Sequence, residues 1–377
     1  MISPKDFVEH LGELGVSMFV GVPDSLLKPL GQYVMEALPR EQHIITADEG
    51  AAVGVALGHY LRTTTPALVY LQNSGFGNTV NPLLSLADPD VYGTPMVLVV
   101  GWRGQPGVKD EPQHVKQGGV MTQMIDAMEL PYAVLPNDPD GARACVAEAV
   151  STAVSTSGPY IVLVEKGTFE SISADAPLTP EVAARPSREA ALDALLQQVS
   201  DDAIIIATTG MLSRELFELR EQNGSDSSRD FLTVGGMGHA SAIALGVAQS
   251  EHQREVWCFD GDGAALMHLG TMANIADHAR SNFFHAVFNN GVHDSVGGQP
   301  TSISVVDLPA AARSLGYRSA SSTGELSQLA GLVAEMRDQD GPSLVELSIK
   351  PGARADLGRP TRTPAESRQR FVDAVAD

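Results

Sequence analysis

The chain has 377 residues, of which 43% are hydrophobic and 19% charged, with a formal net charge of −21. This length suits two domains, and the composition is that of a globular protein that can fill two cores. The acidic balance argues against nucleic acid and anionic membranes as partners, because both need a basic surface.

The first predicted element is an amphipathic helix over residues 1–15. Its acidic residues, Asp6, Glu9 and Glu13, lie among apolar ones, a pattern unlike a signal or transit peptide. No apolar run approaches membrane-spanning length. Cys145 and Cys258 lie in a helical and a strand pattern, so we expect buried thiols. Together these features predict a cytoplasmic protein without a membrane partner.

Short apolar runs then alternate with helical patterns along the whole chain. The runs cover residues 18–22, 43–47, 67–72, 96–101, 132–136 and 160–165, followed by 203–210, 231–236, 256–261, 285–290 and 343–349. This alternation predicts an α/β fold with two doubly wound parallel sheets. Residues 173–190, rich in Ala, Ser and Pro, form the predicted linker between domains at 1–172 and 191–377.

Two loops of the first half follow strand ends and carry basic and polar side chains. An acidic protein needs such a local cluster to hold an anion, although each basic residue alone would be an ordinary surface charge. The residues are Asp24, Ser25 and Lys28 in one loop, and Arg103, Lys109, Gln113, His114 and Lys116 in the other. Arg359, near the C-terminus, either closes over a substrate or pairs with a surface acid.

The most informative stretch is a predicted strand-helix-strand unit over residues 256–290. The first strand ends in the turn Gly261-Asp262-Gly263, and the second ends in Asn289-Asn290. Ligands bind at such carboxyl ends of parallel strands. Carboxylate and amide oxygens suit Mg²⁺ or Ca²⁺ better than zinc, and the glycines let a phosphate approach the backbone. A lone GDG would be ordinary turn chemistry.

GDG followed about 30 residues later by NN resembles the cofactor motif of the thiamine-diphosphate-dependent 2-oxo acid decarboxylase family. The resemblance implies thiamine diphosphate and Mg²⁺ as cofactors, with residues 1–172 binding the pyrimidine and residues 191–377 the diphosphate. It also implies the metal ligands Asp262, Asn290 and the carbonyl of Val292. Ala264 stands where the family often has Ser, so it offers only its backbone amide.

Further segments resemble other parts of the family's cofactor site. Glu49 matches the glutamate that binds the aminopyrimidine ring; otherwise it is a helix-start residue that complements the helix dipole. Met237 matches the residue wedged under the two rings, and core filling is its alternative. Thr209 begins a helix that caps the diphosphate, or is only an N-cap. The full implied contact set is Glu49, Asn73, Thr209, Gly210, Gly235, Met237, Gly261, Asp262, Gly263, Ala264 and Asn290.

The interval from Glu49 to Asp262 is too short for the central domain of many family members, so the chain resembles the compact group that decarboxylates phosphonopyruvate or sulfopyruvate. The implied reaction is non-oxidative decarboxylation of 3-phosphonopyruvate through a thiamine diphosphate ylid and enamine. It yields phosphonoacetaldehyde and carbon dioxide and belongs to phosphonate and antibiotic biosynthesis. The anionic substrate would be held by Asp24, Ser25, Lys28, Arg103, Lys109, Gln113 and His114.

Product release requires a proton, and a histidine suits that step. We favour His293 over His239, both in site motifs with Asp294, and expect His285 to be a core residue. The family implies a homodimer or homotetramer with sites at subunit interfaces. Rival functions are a sulfopyruvate decarboxylase, an acetolactate-type carboligase, and a dinucleotide-binding oxidoreductase or nucleotide sensor. The last two would need G-x-G-x-x-G, which neither Gly75–Asn78 nor Gly235–Gly238 completes.

Overall fold

A computed structural model describes residues 1–172 and 178–376, which form two compact α/β units. Unit 1 lies within Met1–Ala176 and takes in Val296–Pro300, whereas unit 2 lies within Pro177–Ser295 and Thr301–Asp377. The described residues contain no third unit, as predicted. Of the predicted linker, residues 173–177 lie outside the described residues, and the rest carries a one-turn helix and the start of a longer one.

Unit 1 is built on a six-stranded parallel sheet. Its strands are β1 (Phe19–Gly21), β2 (His43–Ile45), β3 (Ala67–Gln72), β4 (Met96–Gly101), β5 (Tyr132–Val134) and β6 (Pro159–Val164). Its helices are α1 (Pro4–Glu13), α2 (Lys28–Ala37), α3 (Glu49–Thr63), α4 (Phe76–Pro82), α5 (Pro112–Ala127) and α6 (Pro139–Thr156). The strand order is β2-β1-β3-β4-β6-β5, and each strand falls on one of the six predicted apolar runs.

Unit 2 repeats this architecture. Its strands are β7 (Ile204–Ala207), β8 (Asp230–Leu232), β9 (Val256–Gly261), β10 (Phe283–Asn289), β11 (Ser319–Thr323) and β12 (Ser343–Ser348). Its helices are α7 (Pro180–Ala183), α8 (Arg188–Leu196), α9 (Met211–Asn223), α10 (Ala240–Ser250), α11 (Asp262–Met267), α12 (Thr271–His278), α13 (Leu308–Leu315), α14 (Leu329–Arg337) and α15 (Pro364–Val375). The order β11-β12-β10-β9-β7-β8 is again all parallel. The sequence pattern missed β11, because this edge strand reads SASST.

Successive side chains of the central strands pack into opposite apolar layers. In β4, Val97 and Val99 lie in one cluster and Leu98 in the other. In β10, Phe284 and Val287 divide between two clusters in the same way. Since helices cover both sheet faces, the open positions for polar groups are the strand ends, where ligands bind in such folds.

Two smaller predictions are confirmed. The amphipathic N-terminal segment is helix α1, which buries Phe7, Val8 and Leu11. Both cysteines, Cys145 on α6 and Cys258 on β9, are buried free thiols. Among the described residues, no helix is long and apolar enough to cross a membrane.

Candidate active site

The structure brings the two predicted metal ligands of unit 2 together. Strand β9 ends at Gly261, which pairs with Phe288 on the neighbouring β10, so Asp262 and Asn290 leave adjacent strands at one edge of the sheet. The carboxylate of Asp262 accepts hydrogen bonds from the backbone N–H groups of Gly263 and Asn290. The strand register therefore fixes their proximity.

Asp262 is a buried anion with several donors around it. It is 2% exposed, and its Oδ2 accepts a hydrogen bond of 2.5 Å from the hydroxyl of Thr301. Burial raises the pKa of Asp262 to about 6, which these hydrogen bonds only partly oppose. A divalent cation would offset the cost of burying this carboxylate, and the carboxylate, amide and carbonyl oxygens available here are hard ligands. The residues thus fit Mg²⁺.

The side-chain amide of Asn290 has a defined orientation. Its Nδ2 donates to the carboxylate of Asp294 over 2.7 Å, whereas its Oδ1 accepts from the backbone N–H of Val292 over 3.0 Å. Val292, whose carbonyl is the predicted third metal contact, lies next to this amide. The sequence motif gave Asp294 no specific partner, and the structure makes it a neighbour of a predicted ligand.

A glycine-dependent turn leads into α9 beside this loop. Gly210 has φ +101° and ψ −142°, a conformation essentially restricted to glycine. A Cβ at Gly210 would lie 2.7 Å from the hydroxyl of Ser295. Gly210 is also the N-cap of α9, so the half-buried Thr209 is not the N-cap that sequence reasoning left open. The turn is a suitable place for a diphosphate at a helix N-terminus.

The predicted V-shaping loop packs against the helix that follows GDG. Gly238 has φ +84°, and a Cβ there would lie 3.2 Å from both the carbonyl oxygen of Ala264 and the Cβ of Met267. Gly235 and Met237 are half-buried, and Met237 belongs to none of the apolar clusters among the described residues. Core filling therefore does not describe Met237.

The three histidines singled out from the sequence occupy different environments. His293 lies on Gly263, where a Cβ would be 3.1 Å from its ring, and burial lowers the pKa of His293 to about 4. His239 is exposed and packs edge-on against His268 at 4.5 Å between centroids. His285 is 0% exposed, and its Nδ1 lies 3.2 Å from the Tyr317 hydroxyl, as expected of a core residue.

Strand β9 also buries a carboxylate that sequence reasoning did not single out. Asp260 is 0% exposed, and its Oδ2 lies 3.7 Å from Nε2 of His285. Its Oδ1 accepts the backbone N–H of Gly261 over 3.1 Å. Asp260 therefore hydrogen-bonds the backbone of the GDG turn and lies beside the core histidine.

In unit 1, Glu49 is the first residue of α3 and is 5% exposed. Its Oε2 accepts a hydrogen bond of 2.8 Å from Asn78, and a Cβ on Gly75 would collide with its carboxylate. Burial, the largest effect, raises the pKa of Glu49. Sequence reasoning missed Gly75 and Asn78, although the Gly/Asn-rich stretch after β3 marked a loop at a strand end.

The predicted anion loops of unit 1 meet at Arg103. Its guanidinium donates to the Ser25 hydroxyl over 2.9 Å and donates two hydrogen bonds, of 2.7 and 2.5 Å, to the carboxylate of Asp110. Asp24 is 1% exposed, and burial raises its pKa to about 6 although Arg103 and the backbone N–H groups of Leu26 and Leu27 lower it. Sequence reasoning did not identify Asp110, whose two hydrogen bonds fix the orientation of the Arg103 guanidinium.

The remaining predicted residues of this cluster differ in exposure. His114 is buried and Gln113 half-buried, whereas Lys28, Lys109 and Lys116 are exposed.

Asn73 binds the backbone of Arg103 at both ends of its amide, donating to the carbonyl oxygen over 2.8 Å and accepting from the N–H over 3.0 Å. Asn73 thereby positions the arginine loop.

Arg359 is exposed in unit 2, on a segment whose position is fixed by Arg214. The guanidinium of Arg214 donates to the carbonyl oxygens of Leu357 and Gly358. This segment is therefore tied to α9, which carries Arg214.

Comparison with known proteins identifies both units. Residues 4–130 match the N-terminal, and residues 208–347 the C-terminal, TPP binding domain of thiamine pyrophosphate enzymes. A phosphonopyruvate decarboxylase of Streptomyces viridochromogenes is 40% identical over 98% of this chain and 94% of its own. A phosphonopyruvate decarboxylase of Streptomyces hygroscopicus is 39% identical over 100% and 95%. A sulfopyruvate decarboxylase of Methanosarcina acetivorans is 26% identical over 100% and 98%.

Proposed function

The chain belongs to the phosphonopyruvate decarboxylase family of thiamine pyrophosphate enzymes, and we propose that it converts 3-phosphonopyruvate to phosphonoacetaldehyde and carbon dioxide. The observation that carries this proposal is the 40% identity to a phosphonopyruvate decarboxylase along almost the whole chain, against 26% to a sulfopyruvate decarboxylase. Arg103 of unit 1 supports it, because a phosphonate needs a charged donor in a protein of net charge −21.

Unit 2 would hold the charged end of the cofactor. Asp262, Asn290 and the carbonyl of Val292 bind Mg²⁺, and the backbone around Gly210 and Ala264 contacts the diphosphate. Thiamine diphosphate, when bound, supplies a nucleophilic carbon and an electron sink for decarboxylation. The buried carboxylate of Asp262, which several donors surround, supports this assignment.

Glu49 and Met237 would act on the cofactor rings. Glu49 hydrogen-bonds the pyrimidine ring and favours its protonated form, a role supported by its burial and its raised pKa. Met237 shapes the bound conformation together with the carbonyl of Gly235. Neither side chain belongs to an apolar core cluster among the described residues, so both are available to contact a cofactor.

Arg103 and Ser25 would bind the phosphonate, with Asp24 and His114 lining the same cluster. Asp110 keeps the guanidinium in one orientation, so little side-chain entropy is lost when the substrate binds. After carbon dioxide leaves, the substrate carbon takes a proton, which we assign to His293 and secondarily to His239. A bound anionic substrate favours the charged form of His293 and so opposes the effect of its burial.

We further propose a homodimer or homotetramer with sites at subunit interfaces, a cytoplasmic location, and a place in phosphonate or antibiotic biosynthesis. Sulfopyruvate is the second candidate substrate, because a sulfopyruvate decarboxylase is similar over the full length. Sulfonate carries one charge and phosphonate nearly two, so the number of charged donors that reach this group distinguishes the two substrates.

The test is to incubate the purified protein with phosphonopyruvate, sulfopyruvate or pyruvate, each with and without thiamine diphosphate and Mg²⁺. Carbon dioxide release should be fastest from phosphonopyruvate and should require both cofactors. Faster carbon dioxide release from sulfopyruvate would contradict the proposal and identify sulfopyruvate as the preferred substrate.

A further inference from the structure

A buried ion network lies directly behind Asn290. Arg188, 5% exposed, donates to both oxygens of Glu215 over 2.9 and 3.2 Å and to Asp294 over 3.0 Å. Asp294 in turn accepts the 2.7 Å hydrogen bond from Nδ2 of Asn290 and the backbone N–H of Gly352. One cation thus bridges two carboxylates, one of which contacts a predicted metal ligand.

Two contacts set the orientation of the Asn290 amide: Asp294 accepts from its NH₂ group, and the backbone N–H of Val292 donates to its oxygen. An ionised carboxylate only accepts hydrogen bonds, so it selects the NH₂ group and leaves the amide oxygen facing away. Arg188 holds Asp294 in this position, because its guanidinium donates over 3.0 Å to the same carboxylate oxygen that accepts from Asn290. A flipped amide would point NH₂ at the metal position, and NH₂ is not a metal ligand.

We propose that Asp294 and Arg188 are positioning residues for the metal: they lock the amide of Asn290 with its oxygen available to the cation. This inference rests on the proposed Mg²⁺ site and adds two residues to it. Arg188 lies inside the segment 173–190 that the sequence pattern predicts to be a linker, yet it is one of the most buried charged side chains of unit 2. Outer partners of this kind commonly change metal affinity by about 10- to 100-fold.

The experiment measures Mn²⁺ binding in the presence of thiamine diphosphate, by the electron paramagnetic resonance signal of free Mn²⁺. Asp294→Ala should weaken Mn²⁺ binding by about tenfold or more. Asp294→Asn should give a smaller loss, because its amide oxygen can still accept from Asn290 while its NH₂ faces the N–H of Gly352. Arg188→Lys, which keeps the charge but loses the two-point grip on Glu215, should also weaken binding by less than Asp294→Ala does.

The matched control is Asp230→Ala, which removes another buried carboxylate of unit 2 that is held at two points by an arginine, Arg220, over 2.8 and 3.1 Å. This variant should lower the melting temperature and leave Mn²⁺ affinity at the parent value. Equal losses of affinity in Asp230→Ala and Asp294→Ala would overturn the proposal, because the effect would then be one of general stability.

The Asn290→Ala variant distinguishes a failure of the proposed metal site from a failure of the proposed positioning role. If it abolishes Mn²⁺ binding while Asp294→Ala binds as tightly as the parent, the positioning role is wrong and the metal site stands. If Asn290→Ala binds Mn²⁺ normally, the metal site itself is wrong and the positioning role falls with it. Should Asp294→Ala not fold, Asp294→Asn decides, and parent-level affinity in that variant overturns the proposal.

Discussion

Two buried carboxylates, one in each unit, begin helices that follow strands, but their surroundings differ. Glu49 opens α3 in unit 1 and Asp262 opens α11 in unit 2, and both are almost fully buried. Glu49 accepts a side-chain hydrogen bond from one neutral amide, that of Asn78. Asp262 accepts from a hydroxyl and from backbone N–H groups of two loops.

The difference shows how one local motif can serve two kinds of chemistry. Burial raises the pKa of both groups, but Asp262 has more donors that stabilise its anion. A carboxylate surrounded by donors is suited to remain charged and meet a cation. Glu49, with one neutral side-chain donor and its own backbone N–H, is suited to share a proton with a ring nitrogen.

The largest effect is expected from Asp262→Ala. Loss of the charged ligand should weaken metal-dependent cofactor binding beyond the roughly 10- to 100-fold loss typical of outer partners, and activity should become undetectable. Calorimetric titration with thiamine diphosphate and Mg²⁺ measures the binding, and circular dichroism checks the fold. Parent-like affinity in this variant would contradict the role given to Asp262.

Glu49→Gln should lower catalytic activity while leaving cofactor binding largely unchanged. The amide preserves size and some hydrogen bonding, so the cofactor should bind with near-parent affinity. Activity should fall by about 10²- to 10⁴-fold, because the amide cannot favour the protonated ring. The direct measurement is exchange of the thiazolium carbon proton for deuterium on the bound cofactor. A mutant that exchanges this proton as fast as the parent would leave Glu49 as a helix-start residue.

Arg103→Met should lower kcat/KM for phosphonopyruvate by about 10- to 100-fold, the value of one charge-assisted hydrogen bond. The effect on pyruvate should be small, so the preference between the two substrates narrows. Lys5→Met is the comparison, because this lysine is exposed on α1, outside the predicted anion loops, and an exposed charge contributes little. Both variants removing the same fraction of activity would show that Arg103 acts only as one more surface charge.

The fold could be predicted largely from apolar periodicity, because strands buried on both faces leave runs such as 96–101 in the sequence. The missed strand β11 buries only Ala320 and Thr323 and consists of Ser, Ala and Thr, so it lacks that signal. Arg188 was assigned to a linker for a related reason. Local composition describes the chain around it, whereas its partners Glu215 and Asp294 are distant in sequence.

The residues of the candidate site show the same contrast between local sequence signals and contacts distant in sequence. Asp262 and Asn290 stand at strand ends within one short motif, so their proximity follows from strand-helix-strand geometry alone. Asp110 and Thr301 were missed, because each contributes through a contact that only the folded loops create. Sequence reasoning identified the groups expected to contact ligands better than the groups that position them.

The smallest effect is expected for a third buried carboxylate, Asp24. Its substitution should stabilise the protein, whereas the substitutions above should weaken binding or activity. Burial raises its pKa from 3.8 to about 6, so ionised Asp24 destabilises the folded state above that pH. The penalty is absent below the unfolded pKa and grows as pH rises toward 6. Asp24→Asn cannot ionise, and its amide oxygen can still accept the N–H groups of Leu26 and Leu27.

The cofactor-free Asp24→Asn protein should therefore be more stable than the parent at pH 7.5 by about 1–3 kcal/mol, since each pKa unit corresponds to about 1.4 kcal/mol. This gain should vanish near pH 3.5, where the parent carboxyl is protonated in both states. Urea unfolding at the two pH values measures the difference. A gain of equal size at both would mean that the amide packs better and that charge is not the cause, whereas no gain at pH 7.5 would mean that Arg103 and the backbone donors already compensate Asp24 in full.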